Sequence, residues 1–427
     1  MGNGPSLGNS LLFPVPKSSY DETLDQLIWI PEDFGFNKRR WEHKSFPALW
    51  IKSAKPTKCI IIYFHANSCD IGHIQPELQV ISDYLNASIC AVEFPGYGIP
   101  PDSIYPKEYP NGDDINRRGI SAFNLFVYLG VPASSIVFFG RSIGTGPACR
   151  IAGDLGKKGV KIGGVVLHAP YMSVHKIVQD YSPLGTWIID NYWDNEASIL
   201  DMAPNTPLLI IHGLDDEIIN VIHGKTLFDK YESKFKMGYF PSESYHNEFY
   251  IIDDIAMPFL DFLRTKSNVN DNQPFDIDVP KVYMNKPSRF NKRAEPVRST
   301  SRDVHICNLR STSLPSFGET DILKSNSKNN SGRAESARMT NSRTESSRAC
   351  KAQTSGPCGI FRRTVNPLSQ KKGSKSTSPT VDEKPLSNYL DQLTQRGAIS
   401  REFVNEVVDH VHETVDTLVD TAADDMK

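Results

Sequence analysis

The chain has 427 residues, 39% of them hydrophobic, and its 47 basic and 50 acidic side chains leave a formal net charge of −3. Such a length holds either two domains or one α/β domain of about 250 residues with a long tail, and a near-zero charge selects no class of partner. Seven cysteines in no zinc-type spacing exclude a disulfide framework and point to a reducing compartment, and no apolar run approaches the roughly 18 residues of a membrane span.

Taken in order, Met1-Gly2-Asn3-Gly4-Pro5-Ser6 matches the acceptor pattern for myristate on Gly2 once Met1 is removed. The same segment lacks the charged and apolar regions of a secretory signal. One myristoyl chain binds membrane only marginally, so stable anchoring needs a second attachment. Residues 27–30 and 48–52 read as two early strands. Residues 58–64 are apolar almost throughout, as befits a strand covered on both faces. It runs into His65-Ala66-Asn67-Ser68-Cys69-Asp70, a loop whose backbone at Asn67 or Ser68 is placed to donate to an oxyanion. His65 itself reads as a side chain that orients this loop. A helix over 74–85, a strand over 88–94, a helix over 114–129 and a strand over 136–139 follow. Repeated β-α-β units of this kind imply a mostly parallel sheet with helices on both faces.

The last of these strands meets Gly140-Arg141-Ser142-Ile143-Gly144, a G-x-S-x-G at a strand-to-helix turn. That setting exposes a serine hydroxyl above the sheet edge, and the flanking glycines let strand and helix approach. The helix N-terminus aims the N–H of Ile143 at any oxyanion formed by attack of Ser142. A serine hydroxyl is a poor nucleophile, so it needs a base and an acid that holds the base in place.

Further strands read at 165–170, 207–211 and 236–241, with helices at 221–231 and 249–265. The aromatic stretch 171–195, carrying Trp187, Tyr192 and Trp193, reads either as a cap lining an acyl groove or as core-facing helix. In this fold the chain order is serine, acid, histidine. Ser142 and His246 satisfy it, with Asp216 or its neighbour Asp215 as the acid. No H-E-x-x-H or clustered Cys/His pattern occurs, and neither a metal nor a cofactor is implied.

His65-Ala66-Asn67-Ser68, Gly140-Arg141-Ser142-Ile143-Gly144-Thr145, Ile211-His212-Gly213-Leu214-Asp215-Asp216-Glu217-Ile218 and His246-Asn247-Glu248 together resemble the motifs of the alpha/beta hydrolase domain-containing protein 17 family. Those are membrane-associated serine hydrolases that remove palmitate from protein cysteines. The resemblance covers residues 11–263. It implies the α/β-hydrolase fold, with Ser142 as nucleophile, Asp216 as acid and His246 as base, and no cofactor. It implies S-acylated proteins as substrates, lipid esters being the alternative. Action at the cytosolic face of a membrane, such as the plasma membrane, follows, with no nucleic-acid partner. Two departures stand out: the family's His-Gly-Asn is His65-Ala66-Asn67 here, and the Gly2 pattern stands where the family has a lipidated cysteine cluster. A catalytically inactive scaffold of the same fold is the reading from a different class.

These signals divide the chain into an N-terminal segment (1–20), an α/β-hydrolase domain (21–265), a Ser/Asn/Arg/Lys-rich stretch (266–384) and a helical end (385–427). The third is too poor in large apolar residues to fold alone and reads as a disordered basic tail. R-x-x-S recurs in it at Ser301, Ser313, Ser336 and Ser346, and phosphorylation there would weaken attraction to an anionic leaflet. In the fourth, Phe403, Val404, Val407, Val408, Val411, Val415, Leu418 and Val419 form one face of an amphipathic helix over 400–422. Its opposite face is acidic, which favours a protein partner over an anionic membrane.

Overall fold

Eight short apolar runs become strands: β1 (Leu27–Pro31), β2 (Ser45–Ile51), β3 (Ile60–Phe64), β4 (Ser88–Val92), β5 (Ile136–Arg141), β6 (Gly164–His168), β7 (Leu208–Ile211) and β8 (Lys236–Tyr239). The structure, a computed structural model, describes residues 7–35, 44–99, 108–181 and 189–286. The expectations for Gly2, the R-x-x-S serines and the helix over 400–422 lie outside those residues.

The strands form one sheet in the order β1-β2-β4-β3-β5-β6-β7-β8. β2 runs against β1 and β4, and the other neighbours are parallel. This is the mostly parallel sheet that the β-α-β pattern implied, in the α/β-hydrolase architecture that the resemblance implied. Strand periodicity sends alternate residues to opposite faces, so the sheet carries two apolar layers. Ile60, Ile62, Phe64, Phe138, Val165 and Leu167 belong to one, and Ile61, Tyr63, Val137, Phe139 and Val166 to the other.

Helices α1 (Leu7–Leu12), α2 (Ile71–Leu85), α3 (Gly112–Tyr128), α4 (Thr145–Gly156), α5 (Val174–Tyr181), α6 (Asn195–Asp201), α7 (Ile222–Lys230) and α8 (Met257–Thr265) complete the described fold. Phe123 of α3, Ala148 of α4, Ile199 of α6 and Leu227 of α7 pack on the first layer, and Ile74 and Leu78 of α2 with Phe259 of α8 on the second. Capping moves two helix starts earlier than periodicity implied. Asp70 accepts from the His73 N–H at 3.0 Å and Asn111 from the Asp114 N–H at 2.9 Å, each taking an otherwise free donor of the first turn. The single helix expected over 249–265 is instead a π-helical turn at Ile251–Ala256 followed by α8.

Of the two readings of 171–195, a cap or core-facing residues, Tyr171 and Trp193 follow the second, while Tyr192 is half-buried. Tyr171 and Trp193 are buried, the Tyr171 hydroxyl donates to Ile143 O at 3.2 Å and the Trp193 indole N–H to Asn116 Oδ1 at 3.0 Å. A buried ring needs a partner for its polar tip, and here that need ties Tyr171 to the turn after Ser142 and Trp193 to α3. Trp187 lies outside the described residues.

The boundaries drawn at 21 and 265 are both too narrow. Phe13 is 2% exposed and packs against Tyr192 and Trp193. At the other end Val269, Val279 and Tyr283 are buried in the two layers, and Thr57 and Phe275 exchange backbone hydrogen bonds of 2.9 and 2.8 Å. The composition of a long polar stretch averages away these few apolar anchors, which is why residues 266–286 read as linker.

Replacing Tyr283 with alanine is expected to cost about 3 kcal/mol, because the ring leaves a void against Phe34. Urea denaturation measures it, and a loss below about 0.5 kcal/mol would return residues 266–286 to a surface appendage.

Candidate active site

Ser142 has φ +54, a left-handed backbone conformation that a side chain with a Cβ seldom adopts. Its neighbours impose it. A Cβ on Gly140 would lie 2.2 Å from Gly144 O, and one on Gly144 would lie 2.2 Å from Phe64 O, so strand, turn and helix fit together only through bare backbone. The Thr145 hydroxyl donates to Ser142 O at 2.7 Å and fixes the first turn beyond. The serine that results sits at the carboxyl end of β5 and is 8% exposed.

His246 reaches this serine from the loop after β8. Its Nε2 lies 3.1 Å from Ser142 Oγ and its Nδ1 lies 2.8 Å from Asp216 Oδ2. A carboxylate only accepts, so Nδ1 carries the proton and Nε2 is left to accept from the serine hydroxyl. Asp216, in the loop after β7, takes two further N–H bonds at Oδ1, from Ile218 at 2.9 Å and Ile219 at 2.7 Å. His212 Nε2 donates to Ile219 O at 2.8 Å and lies 3.3 Å from Asp216 Oδ2. Burial alone would raise the Asp216 pKa, but the hydrogen bonds from His212 and His246 outweigh it and hold the carboxyl well below the usual range.

Asp215 turns away. Its Oδ2 accepts the Glu243 N–H at 2.8 Å, while Glu217 accepts the His246 N–H at 3.1 Å. Three consecutive acidic residues thus bond three different groups of the segment that carries His246: the Glu243 N–H, the His246 ring and the His246 N–H.

The loop after β3 closes the site from the other side. Because the Cβ-less Gly144 abuts Phe64 O and His65 O, the turn at Ile143 and the segment holding Asn67 and Ser68 are neighbours. Ser68 also has positive φ, +58, and Asn67 is fixed through its side chain, donating to Leu12 O at 2.6 Å and accepting from the Tyr97 hydroxyl at 3.0 Å. His65 is buried, with Nδ1 bonded to Ala66 O at 2.9 Å and Nε2 3.1 Å from Glu93 Oε1.

Arg141 and His168 went unremarked in the sequence. Arg141, one residue before Ser142, donates from Nη2 to His246 O and to Asn247 Oδ1, each at 3.1 Å, and its guanidinium lies 4.8 Å from the centre of the Phe249 ring. It pins the histidine loop to the strand that carries the serine. His168 pairs with Arg141 across β5 and β6, and burial, then the Arg141 charge, hold its imidazole neutral. A signal for this layer was present: the apolar runs of β3, β6 and β7 all close on histidine, at His65, His168 and His212.

No family model matches the chain. It is 27% identical over 265 residues to alpha/beta hydrolase domain-containing protein aho-3 of Caenorhabditis elegans, covering 57% of this chain and 73% of that one. To the human alpha/beta hydrolase domain-containing proteins 17B and 17C it is 25% identical over 195 residues and 26% over 183. It spans 63% and 51% of their lengths, with 46% and 43% of this chain matched. Among solved structures, the carboxylesterase EstE1 from a metagenomic library aligns with a TM-score of 0.41 at 16% identity, over 62% of this chain and 94% of that one. Among the described residues no helix is long and apolar enough to cross a membrane.

The depressed Asp216 pKa makes a stability contribution that is full above the unfolded-state value, about 3.9, and is lost as pH falls toward the lower folded-state value. Asp216→Asn is therefore expected to destabilise most at pH 7, with the gap to wild type narrowing below pH about 4. Urea midpoints at pH 7 and pH 3 test this, and an equal gap at both would show that ionisation of Asp216 contributes nothing.

Proposed function

Given that the chain belongs to the α/β hydrolases related to domain-containing proteins 17B and 17C, we propose that it is a serine hydrolase of acyl thioesters and esters. One observation carries the reading: Ser142, His246 and Asp216 lie in a hydrogen-bonded row of 3.1 and 2.8 Å, with the serine on a left-handed turn.

In this mechanism Ser142 Oγ attacks the acyl carbonyl as its proton passes to His246 Nε2. Asp216, accepting from Nδ1, stabilises the imidazolium and keeps its tautomer. The backbone N–H of Ile143 and that of Asn67 or Ser68 receive the oxyanion. Collapse of the tetrahedral intermediate expels the thiol or alcohol, which takes the proton from His246. Water activated by His246 then attacks the acyl-enzyme, and Ser142 is regenerated with release of the fatty acid. Among substrates we place S-palmitoylated proteins first, following the resemblance of the motifs around Ser142, Asp216 and His246. Such substrates sit on membranes, so the reading includes work at a cytosolic membrane surface.

A fluorophosphonate probe is expected to label the wild type and not Ser142→Ala, which should also lose at least about 1000-fold in kcat/KM on a simple ester. Labelling that persists in Ser142→Ala would overturn the mechanism. Rates on a palmitoyl-cysteine peptide, a short-chain ester and a monoacylglycerol test the substrate. Preference for the glycerolipid would move the assignment to lipid esters.

A further inference from the structure

The loop His65–Asp70 is held at several points by residues that precede the sheet. Leu12 O accepts from the Asn67 amide at 2.6 Å. The Ser19 N–H donates to Asp70 Oδ2 at 2.7 Å, and the Ser19 hydroxyl donates to Oδ1 of the same carboxylate. The Tyr20 hydroxyl donates to Glu93 Oε2 at 2.7 Å, while Glu93 Oε1 lies 3.1 Å from His65 Nε2. These contacts span both ends and the middle of the loop.

The residues doing the holding are themselves anchored. Phe13 is buried against Tyr192 and Trp193, and Asn9 Oδ1 accepts from the Tyr192 hydroxyl at 2.8 Å. Asp70 is fully buried, and it also caps α2, so the strap, the loop and the helix share one carboxylate. Burial of Tyr20 beside Glu93 raises the phenol's pKa, which keeps its proton available to donate.

We propose that residues 7–20 form a strap that positions the oxyanion loop, with the Asn67 side chain as the positioning residue through which it acts. The inference builds on the serine-hydrolase reading and extends it to a segment far from Ser142 in sequence. The physical reason is that the loop's contribution is a backbone N–H, which no side chain of the triad touches. Its aim depends on what fixes the loop, and Ser68 with positive φ shows a backbone that needs fixing. Asn67 can do this because its amide donates to the strap while its carbonyl oxygen accepts from Tyr97, so both faces of the loop are clamped by one side chain. Any influence on the strap is thereby passed to the stabilisation of the tetrahedral intermediate and leaves substrate binding alone.

The test uses the full chain and a p-nitrophenyl ester, with a trifluoromethyl ketone as probe of the oxyanion, since addition of Ser142 Oγ to its carbonyl puts negative charge on the oxygen. Asn67→Ala keeps the backbone donor and removes both clamps. It is expected to lower kcat by about 10- to 100-fold with KM within twofold, and to weaken inhibition by the ketone by the same factor. The double variant Ser19→Ala/Tyr20→Phe, which removes the hydroxyl bonds to Asp70 and Glu93 and leaves the Ser19 N–H bond to Asp70, should lower kcat several-fold. Combined with Asn67→Ala it should add less than its separate effect, because both act on one loop. If Asn67→Ala does not fold, Tyr97→Phe removes one clamp alone and is expected to show the same kcat-only pattern at smaller size. A kcat within twofold of wild type in these variants, or losses in KM alone, would overturn the strap. Failure of fluorophosphonate to label the wild type would instead overturn the serine-hydrolase reading, and the strap with it.

Discussion

The site depends on a steric constraint at Gly140 and Gly144. With no Cβ at either position the end of β5, the turn and α4 come into backbone contact, and the chain between them closes only if Ser142 adopts φ +54. A left-handed serine costs about 1–2 kcal/mol, which the surrounding strands and helix offset through burial. The same crowding that strains the serine also presses the turn against the carbonyls of Phe64 and His65. Ser142 and the loop His65–Asp70 are thus brought together by one packing event.

Around that turn the carboxyl edge of the sheet holds a high density of ionisable groups. His65, His168, His212, His246, Arg141, Glu93 and Asp216 are all buried at the ends of parallel strands or in the loops beyond them. Unpaired, such groups would destabilise the fold by several kcal/mol each, so most have a specific partner. The partners also set protonation. Asp216 stays ionised because four N–H groups surround it, and His168 stays neutral because burial and neighbouring positive charge oppose a second cation. Arg141 adds the mechanical link, joining the serine strand to the histidine loop through His246 O and Asn247.

The ends of the described chain belong to the same construction. Residues 7–20 pack under Tyr192 and Trp193 and bond to the loop beside the serine, while residues 268–283 close the lower edge of both apolar layers. Neither is an appendage to the sheet. Residues 7–20 touch the loop beside Ser142, whereas residues 268–283 pack on the two apolar layers.

The architecture was legible in the amino-acid order because it follows from short-range periodicity. Apolar runs such as Ile60–Phe64, set between helical spacings, permit little except a covered parallel sheet, and G-x-S-x-G is a local device whose glycines act on their immediate neighbours. The order Ser142, Asp216, His246 narrowed the site to a few side chains for the same reason: each sits where a strand ends. Choosing between Asp215 and Asp216 was not local, since their side-chain directions depend on the Glu243 and His246 segments of another loop. The roles of Arg141, His212 and Asn67 were equally hidden, for each acts on a backbone group tens of residues away or on a carboxylate whose position only the folded loop defines. Contacts between segments distant in sequence leave no periodic trace, so what holds the machinery in place emerged with the tertiary structure.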